Sequence, residues 1–150
     1  MTQEVKIPND RIGAIIGKHG DTRKNLEKLL NVTLEVDSRD GLVTITNEED
    51  ALAEIRSMEI IKAIGRGFSP ERSQKLLEDD DMVLDLIDIS DDADTPQKLS
   101  RIRGRISGRD GKAREQIENM TGTYISVYGK TIGIIGLPDQ VNDAHTAVLM

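Results

Sequence analysis

The chain has 150 residues, with 20 Lys and Arg against 27 Asp and Glu, a formal net charge of −7, no Cys, no Trp and only three aromatic rings. The missing cysteines exclude disulfides, thiolate metal sites and a cysteine nucleophile. No apolar run approaches the roughly 18 residues of a membrane span, and the acidic total argues against a general polyanion binder.

The start, Met1-Thr2-Gln3-Glu4, is polar and does not resemble a signal peptide, so a soluble, cytoplasmic protein is expected. Glu4–Ile7 reads as a short strand, ended by Pro8-Asn9-Asp10. Ile12, Ile15 and Ile16 form one face of a short helix, which Gly17 and Gly20 break. A second helix is expected from about Asp21 to Leu30, with Leu26, Leu29 and Leu30 turned inward. Thr33–Asp37 and Leu42–Thr46 alternate as strands around the hairpin signal Ser38-Arg39-Asp40-Gly41. Asn47 is placed to cap a long helix through about Ile64, buried through Leu52, Ile55, Met58 and Ile61. Ser69-Pro70 is a cap and first-turn pair for a short helix through Leu76 and Leu77. A strand over Met82–Ile89 follows, with Asp85 and Asp88 facing out. Helices near 95–106 and 111–120, strands near 123–128 and 131–135, and a helix from about Asp139 complete the chain.

The charge is uneven along this order. Residues 1–68 hold 10 basic and 12 acidic groups, residues 69–100 hold 3 and 10, and residues 101–150 hold 7 and 5; the segments therefore carry −2, −7 and +2. The middle segment contains Glu78-Asp79-Asp80-Asp81 and Asp91-Asp92-Ala93-Asp94, and neither cluster has the turn glycine of a calcium loop. A solvated connector between two flanks is the simpler reading. The boundaries expected are 1–66 for a first domain, 67–81 for a helical connector and 82–150 for a second domain.

The flanks repeat each other at an offset of 91. Gly13-x-Ile15-x-Gly17-x-x-Gly20-x-x-Arg23-x-x-Leu26-x-x-Leu29 matches Gly104-x-Ile106-x-Gly108-x-x-Gly111-x-x-Arg114-x-x-Ile117-x-x-Met120 without a gap. Leu34 and Val36 match Ile125 and Val127 at the same offset; Val43 and Ile45 match Ile132 and Ile134 after a loop two residues shorter.

A helix, a Gly-x-x-Gly turn and a second helix make a phosphate-directed surface. The first amides of the second helix are unpaired and carry partial positive charge. Glycines let a nucleic-acid backbone approach the main chain. In the first copy Gly17, Lys18, His19, Gly20, Arg23 and Lys24 are the candidate ligands, with Ile16 and Val36 or a neighbour flooring an aliphatic groove. In the second, Arg105, Gly108, Arg109, Gly111, Lys112 and Arg114 are the candidates, with Ile106 and Ile125 or Val127 as floor. Two features of the second copy depart from the first: Asp110 stands beside the phosphate path, and Ser107 replaces an apolar residue before the loop.

The order β-α-α-β-β-α with Gly-x-x-Gly between the first two helices resembles the type I KH domain, whose loop clamps about four nucleotides of single-stranded backbone. The fold class implied is α+β, two tandem type I KH domains (β-α-α-β-β-α each) joined by a short helical acidic connector. Ala63–Glu71, then Leu76-Leu77 with acidic residues, then Thr121–Thr131 further resemble the archaeal two-KH ribosome-assembly family, similar to the eukaryotic pre-40S factor called partner of Nob. That resemblance implies binding near the 3′ end of small-subunit (pre-)rRNA and contacts with ribosome-assembly or translation initiation factors. It implies no cofactor, metal, membrane or small-molecule substrate.

Enzyme signatures are weak. Gly129-Lys130-Thr131 lacks the earlier glycine of a P-loop, since residue 124 is Tyr. Gly65-x-Gly67 lacks the third glycine of a dinucleotide site. The two histidines, His19 and His145, have no recognisable triad partner. Two other readings of the chain stay open at this point: a scaffold whose acidic connector meets a basic partner, and an RNA-exosome-type accessory protein.

Overall fold

A computed structural model describes residues 2–150. The chain forms two compact units, Met1–Gln74 and Lys75–Met150.

The first unit runs β1 (Thr2–Lys6), α1 (Ile12–Ile16), α2 (Asp21–Leu30), β2 (Thr33–Asp37), β3 (Leu42–Thr46), α3 (Ala51–Gly65) and α4 (Pro70–Ser73). Its sheet is antiparallel in the order β1-β3-β2, with Val5 opposite Val43 and Val43 opposite Val36. Alternation turns Val5, Leu34, Val43 and Ile45 to the core and Glu4, Glu35 and Thr44 to the other face. The hairpin between β2 and β3 is built by Asp37, whose Oδ1 accepts from the Arg39 and Asp40 amides at 2.9 and 3.2 Å. Gly41 closes it at φ +69, where a Cβ would lie 2.5 Å from the Ile7 carbonyl oxygen.

The helical faces differ from expectation in two places. Leu29, expected inward, is 51% exposed, and the buried residues of α2 are Leu26 and Leu30. Helix α3 is turned about its axis from the expected stripe. Leu52 and Ile55 are exposed, and the buried face is Glu54, Ser57, Ile60, Ile61 and Ile64. The two polar members have local bonds: Glu54 Oε2 accepts from the Asn47 amide at 2.8 Å, and Ser57 Oγ donates to the Ala53 carbonyl at 2.7 Å. Asp50, not Asn47, caps α3 by accepting from the Leu52 and Ala53 amides. Asn47 makes the turn before it, accepting from the Glu49 and Asp50 amides. Ser69 caps α4 with Pro70 in its first turn. Phe68 and Ser73 are buried in this region.

The second unit contains β4 (Val83–Asp88), α5 (Pro96–Ser107), α6 (Lys112–Thr121), β5 (Tyr124–Tyr128), β6 (Thr131–Gly136) and α7 (Pro138–Leu149). Its sheet has the matching order β4-β6-β5, also antiparallel. The core gathers Ile89, Ala93, Ile106, Ile125, Ile132, Ile134, Val141, Ala144 and Val148. Asp85, expected to face out, instead holds His145 of α7, Oδ2 to Nδ1 at 2.7 Å, which fastens the last helix to β4. Before β4, Lys75 lies 5.6 Å from the Tyr124 ring centroid. The hydrogen bond and charge of Glu78 raise the Lys75 ammonium above its ordinary pKa.

Candidate nucleic-acid interface

The two Gly-x-x-Gly loops have the same backbone. Gly17 (φ 73°, ψ −179°) matches Gly108 (71°, −179°), in a region only glycine occupies readily. A Cβ on Gly17 would run into the Thr22 hydroxyl; one on Gly108 would sit 2.6 Å from the Ala113 Cβ. The first glycine of each loop thus seats the turn against the following helix. The middle residues His19 (55°, 24°) and Asp110 (56°, 28°) are left-handed, a conformation that His and Asp tolerate better than most. Gly20 and Gly111 are also left-handed, at φ 75° and 73°. Above Gly20 nothing lies within 4 Å of a hypothetical Cβ, and above Gly111 the nearest group is the Arg114 guanidinium at 3.5 Å. The second glycine leaves the main chain bare.

Helices α2 and α6 start at these bare glycines with no side-chain cap, whereas Asp50 and Thr95 cap α3 and α5. The Asp21 and Lys112 amides already donate to the Lys18 and Arg109 carbonyls, so each helix start offers an anion its partial positive charge rather than a free first amide. Around the first loop, Lys18, His19 and Lys24 are exposed; around the second, Arg105, Arg109 and Lys112 are exposed. The signs are permuted between copies. At an offset of 91, His19, Asp21 and Lys24 stand where the second copy has Asp110, Lys112 and Glu115.

Residues 2–58 match the model of the KH domain, and residues 83–150 match that of the eukaryotic type KH-domain (KH-domain type I). The chain belongs to the KH-domain family. A KH domain-containing protein of Methanocaldococcus jannaschii is 46% identical over 149 residues, covering 97% of this chain and 65% of that protein. The pre-rRNA-processing protein PNO1 of Chaetomium thermophilum is 32% identical over 116 residues, 76% of this chain and 43% of that protein. The chain therefore spans less than two thirds of the length of these curated relatives. Among solved structures, a chain of the a/eIF2alpha–aDim2p–rRNA complex from Pyrococcus horikoshii is 46% identical with a TM-score of 0.90, over 99% of this chain and 82% of that one.

The rest of the KH surface corrects two expectations. Ile106 is 3% exposed and Ile125 1%, both inside the core, so neither floors a groove. The second-copy counterpart of half-buried Ile16 is Ser107. Ser107 lines an open cavity of about 440 Å³ beside α5, together with Pro96, Leu99, Ser100, Arg103 and Gly104. The second KH surface is therefore more polar than the first at this point.

Arg23 and Arg114 are not free cations. Arg23 Nη1 donates to the Leu34 carbonyl at 3.2 Å, and Arg114 Nη1 reaches the Ile125 carbonyl at 3.5 Å. Glu27 Oε2 accepts from the Leu34 amide at 2.8 Å, and Glu118 Oε2 from the Ile125 amide at 2.7 Å. In each copy one Arg and one Glu, four residues apart on the helix, hold both main-chain polar groups of a single strand residue. Arg114 also pairs with Glu118 at 3.0 Å. Because β2 and β5 are edge strands, these clamps also cover backbone groups that would otherwise be open for pairing. Glu27 and Glu118 escaped notice in the sequence, although both are Glu at the same offset of 91. Repetition of that carboxylate was the available signal.

Among the described residues no helix is long and apolar enough to cross a membrane, and no group of three or more His, Cys, Asp or Glu is disposed to hold a metal ion.

Proposed function

We propose that the chain is a non-enzymatic, cytoplasmic protein that binds single-stranded RNA and acts in small ribosomal subunit biogenesis. Its RNA is the 3′ region of small-subunit (pre-)rRNA, and its protein partners include a ribosome-assembly or translation initiation factor. The complex of aDim2p with rRNA and a/eIF2alpha supports both halves of this reading, as does the pre-rRNA-processing role in the name of PNO1. We divide the chain into domains 1–66 and 82–150, with 67–81 as the connector.

The observation that carries the proposal is the pair of congruent loops, each opening an uncapped helix over a bare glycine. Phosphates would meet the positive starts of α2 and α6 together with Lys18, His19 and Lys24 on one loop and Arg109 and Lys112 on the other. Arg23 and Arg114 act indirectly, by holding the strand beside the groove. Backbone contacts set the register, and base edges against Ile16 in one copy and Ser107 in the other supply sequence preference.

The test is RNA affinity for a small-subunit rRNA 3′ fragment, measured for Lys18→Asp with His19→Asp and, separately, for Arg109→Asp. Each is expected to weaken binding at least tenfold. If neither does, the loop reading is wrong.

A further inference from the structure

Helix α5 presents three faces. At about 100° per residue, Leu99, Ile102 and Ile106 point to the core, and Ser100, Arg103, Gly104 and Ser107 line the open cavity. Lys98, Arg101 and Arg105 share the third face, roughly opposite the cavity, and all three are exposed. Their i, i+3, i+7 spacing lays a basic stripe along about 10 Å of helix.

Helix stability does not account for this stripe. Arg101 and Arg105 are like charges at i, i+4, an arrangement that weakens a helix. Neither has an acidic residue three or four positions away, and neither has an ion-pair or hydrogen-bond partner among the described residues. Only Lys98 is paired, to Asp94 at 3.0 Å. The fold does not require the stripe either. The first copy has Asp10 and Ala14 at the positions of Arg101 and Arg105, and its α1 still seats an identical loop.

We propose that the Lys98–Arg101–Arg105 face is a second RNA contact, which takes the phosphodiester backbone of RNA flanking the segment held at the Gly108–Gly111 loop. This rests on the RNA reading of that loop. Helix α5 runs directly into the loop, where Arg109 is also exposed and unpartnered among the described residues. Exposed Arg103, on the cavity side with Ser107, is within the reach of the clamped segment; the stripe supplies the further cations for RNA that passes around α5. The guanidinium fork matches a phosphate bidentately, which favours this assignment for two of the three side chains. The stripe faces away from the cavity, so the roughly four nucleotides a KH loop clamps cannot reach it; only RNA beyond them can. The stripe would therefore add length-dependent affinity to the second KH domain and none to the first.

The experiment uses the full chain with Lys98→Gln and Arg101→Gln combined, substitutions that keep helix propensity and leave Arg105, the member of the stripe nearest the loop, in place. Two RNAs are compared: a single strand of about eight nucleotides, and the same strand extended by about twenty unpaired nucleotides. The short RNA should bind within about twofold of wild type. The long RNA should lose roughly 25-fold in affinity at about 0.1 M salt. Its slope of log K against log salt should become shallower by about 1.4, from about 0.7 per released counterion on a single strand at two cations. An unchanged long-RNA affinity and slope, or an equal loss on both RNAs, overturns the proposal. So does a variant that binds both RNAs normally but loses affinity for polyglutamate, which would assign the stripe to an acidic protein. Failure of the underlying loop reading looks different: the short RNA then binds wild type no better than it binds Arg109→Asp.

Discussion

Glu118→Ala tests whether the Arg–Glu clamp supports the fold of the second KH domain. Ile125 is 1% exposed, and its amide donates at 2.7 Å to the Glu118 carboxylate. Truncation leaves that amide buried and unpaired, a loss of about 1.5–3 kcal/mol for a bond to a charged group. Arg114 also loses its 3.0 Å partner but keeps the Ile125 carbonyl. As an i, i+4 pair on one helix this part adds about 0.3–0.5 kcal/mol. The sum is about 2–3 kcal/mol, a large share of the 5–15 kcal/mol that holds a typical domain. At about 4–8 °C per kcal/mol for a unit of this size, Tm should fall by about 8–24 °C. Far-UV circular dichroism on heating gives Tm, and hydrogen exchange at the Ile125 amide gives the local effect. Glu115→Ala is the control, since Glu115 is exposed on the first turn of the same helix; its loss should stay within a few tenths of a kcal/mol. If Glu118→Ala melts within about 2 °C of Glu115→Ala, or if Ile125 keeps its protection, the clamp is not structural.

Substitutions at the first glycine of one loop and the second glycine of the other should separate folding from binding. Gly108→Ala forces a Cβ to 2.6 Å from Ala113 at a glycine-only φ, ψ and should cost about 1–3 kcal/mol or more of stability in a melting curve. Gly20→Asn keeps a left-handed conformation that Asn tolerates and fills the open space above the loop; Tm should move by less than about 1 kcal/mol equivalent while RNA affinity falls. Ile106→Ala and Ser107→Ala should divide in the same sense. The first removes a side chain from the core, at about 2–5 kcal/mol, and the second should leave urea unfolding nearly unchanged.

Element order and the two loops were legible in the sequence because each is written in local chemistry. Glycine pairs, Ser69-Pro70 and alternating Val and Ile state their own conformations. The inward face of α3 was not legible, for a physical reason. That helix carries apolar residues on several sides, so periodicity alone did not choose among stripes. The buried stripe contains Glu54 and Ser57, two residues an apolarity count turns outward. They can be buried because each has a local bond, to the Asn47 amide and the Ala53 carbonyl, and neither bond is visible from residue type. Asn47 misled in the same way: it was a good cap in isolation, but the chain needed it one turn earlier.

Repetition itself carried an ambiguity that only geometry could resolve. A residue recurs in both copies if the ligand requires it or if the fold requires it. Arg23 and Arg114 recur beside the loops and read as phosphate ligands, yet both reach a strand carbonyl. Glu27 and Glu118 recur for the same structural reason. Recurrence is thus strongest where the fold is the cause. Functional divergence between the KH copies must then be sought where the backbone is superimposable and the side chains differ. Those positions are His19 against Asp110, Asp21 against Lys112, Lys24 against Glu115 and Ile16 against Ser107, together with the stripe on α5 that the first copy lacks. The same reasoning resolves the acidic total. Seven of the negative charges in excess lie within residues 69–100, outside both loops. RNA attraction must therefore come from a few placed cations, and its salt dependence should count those cations rather than follow the net charge.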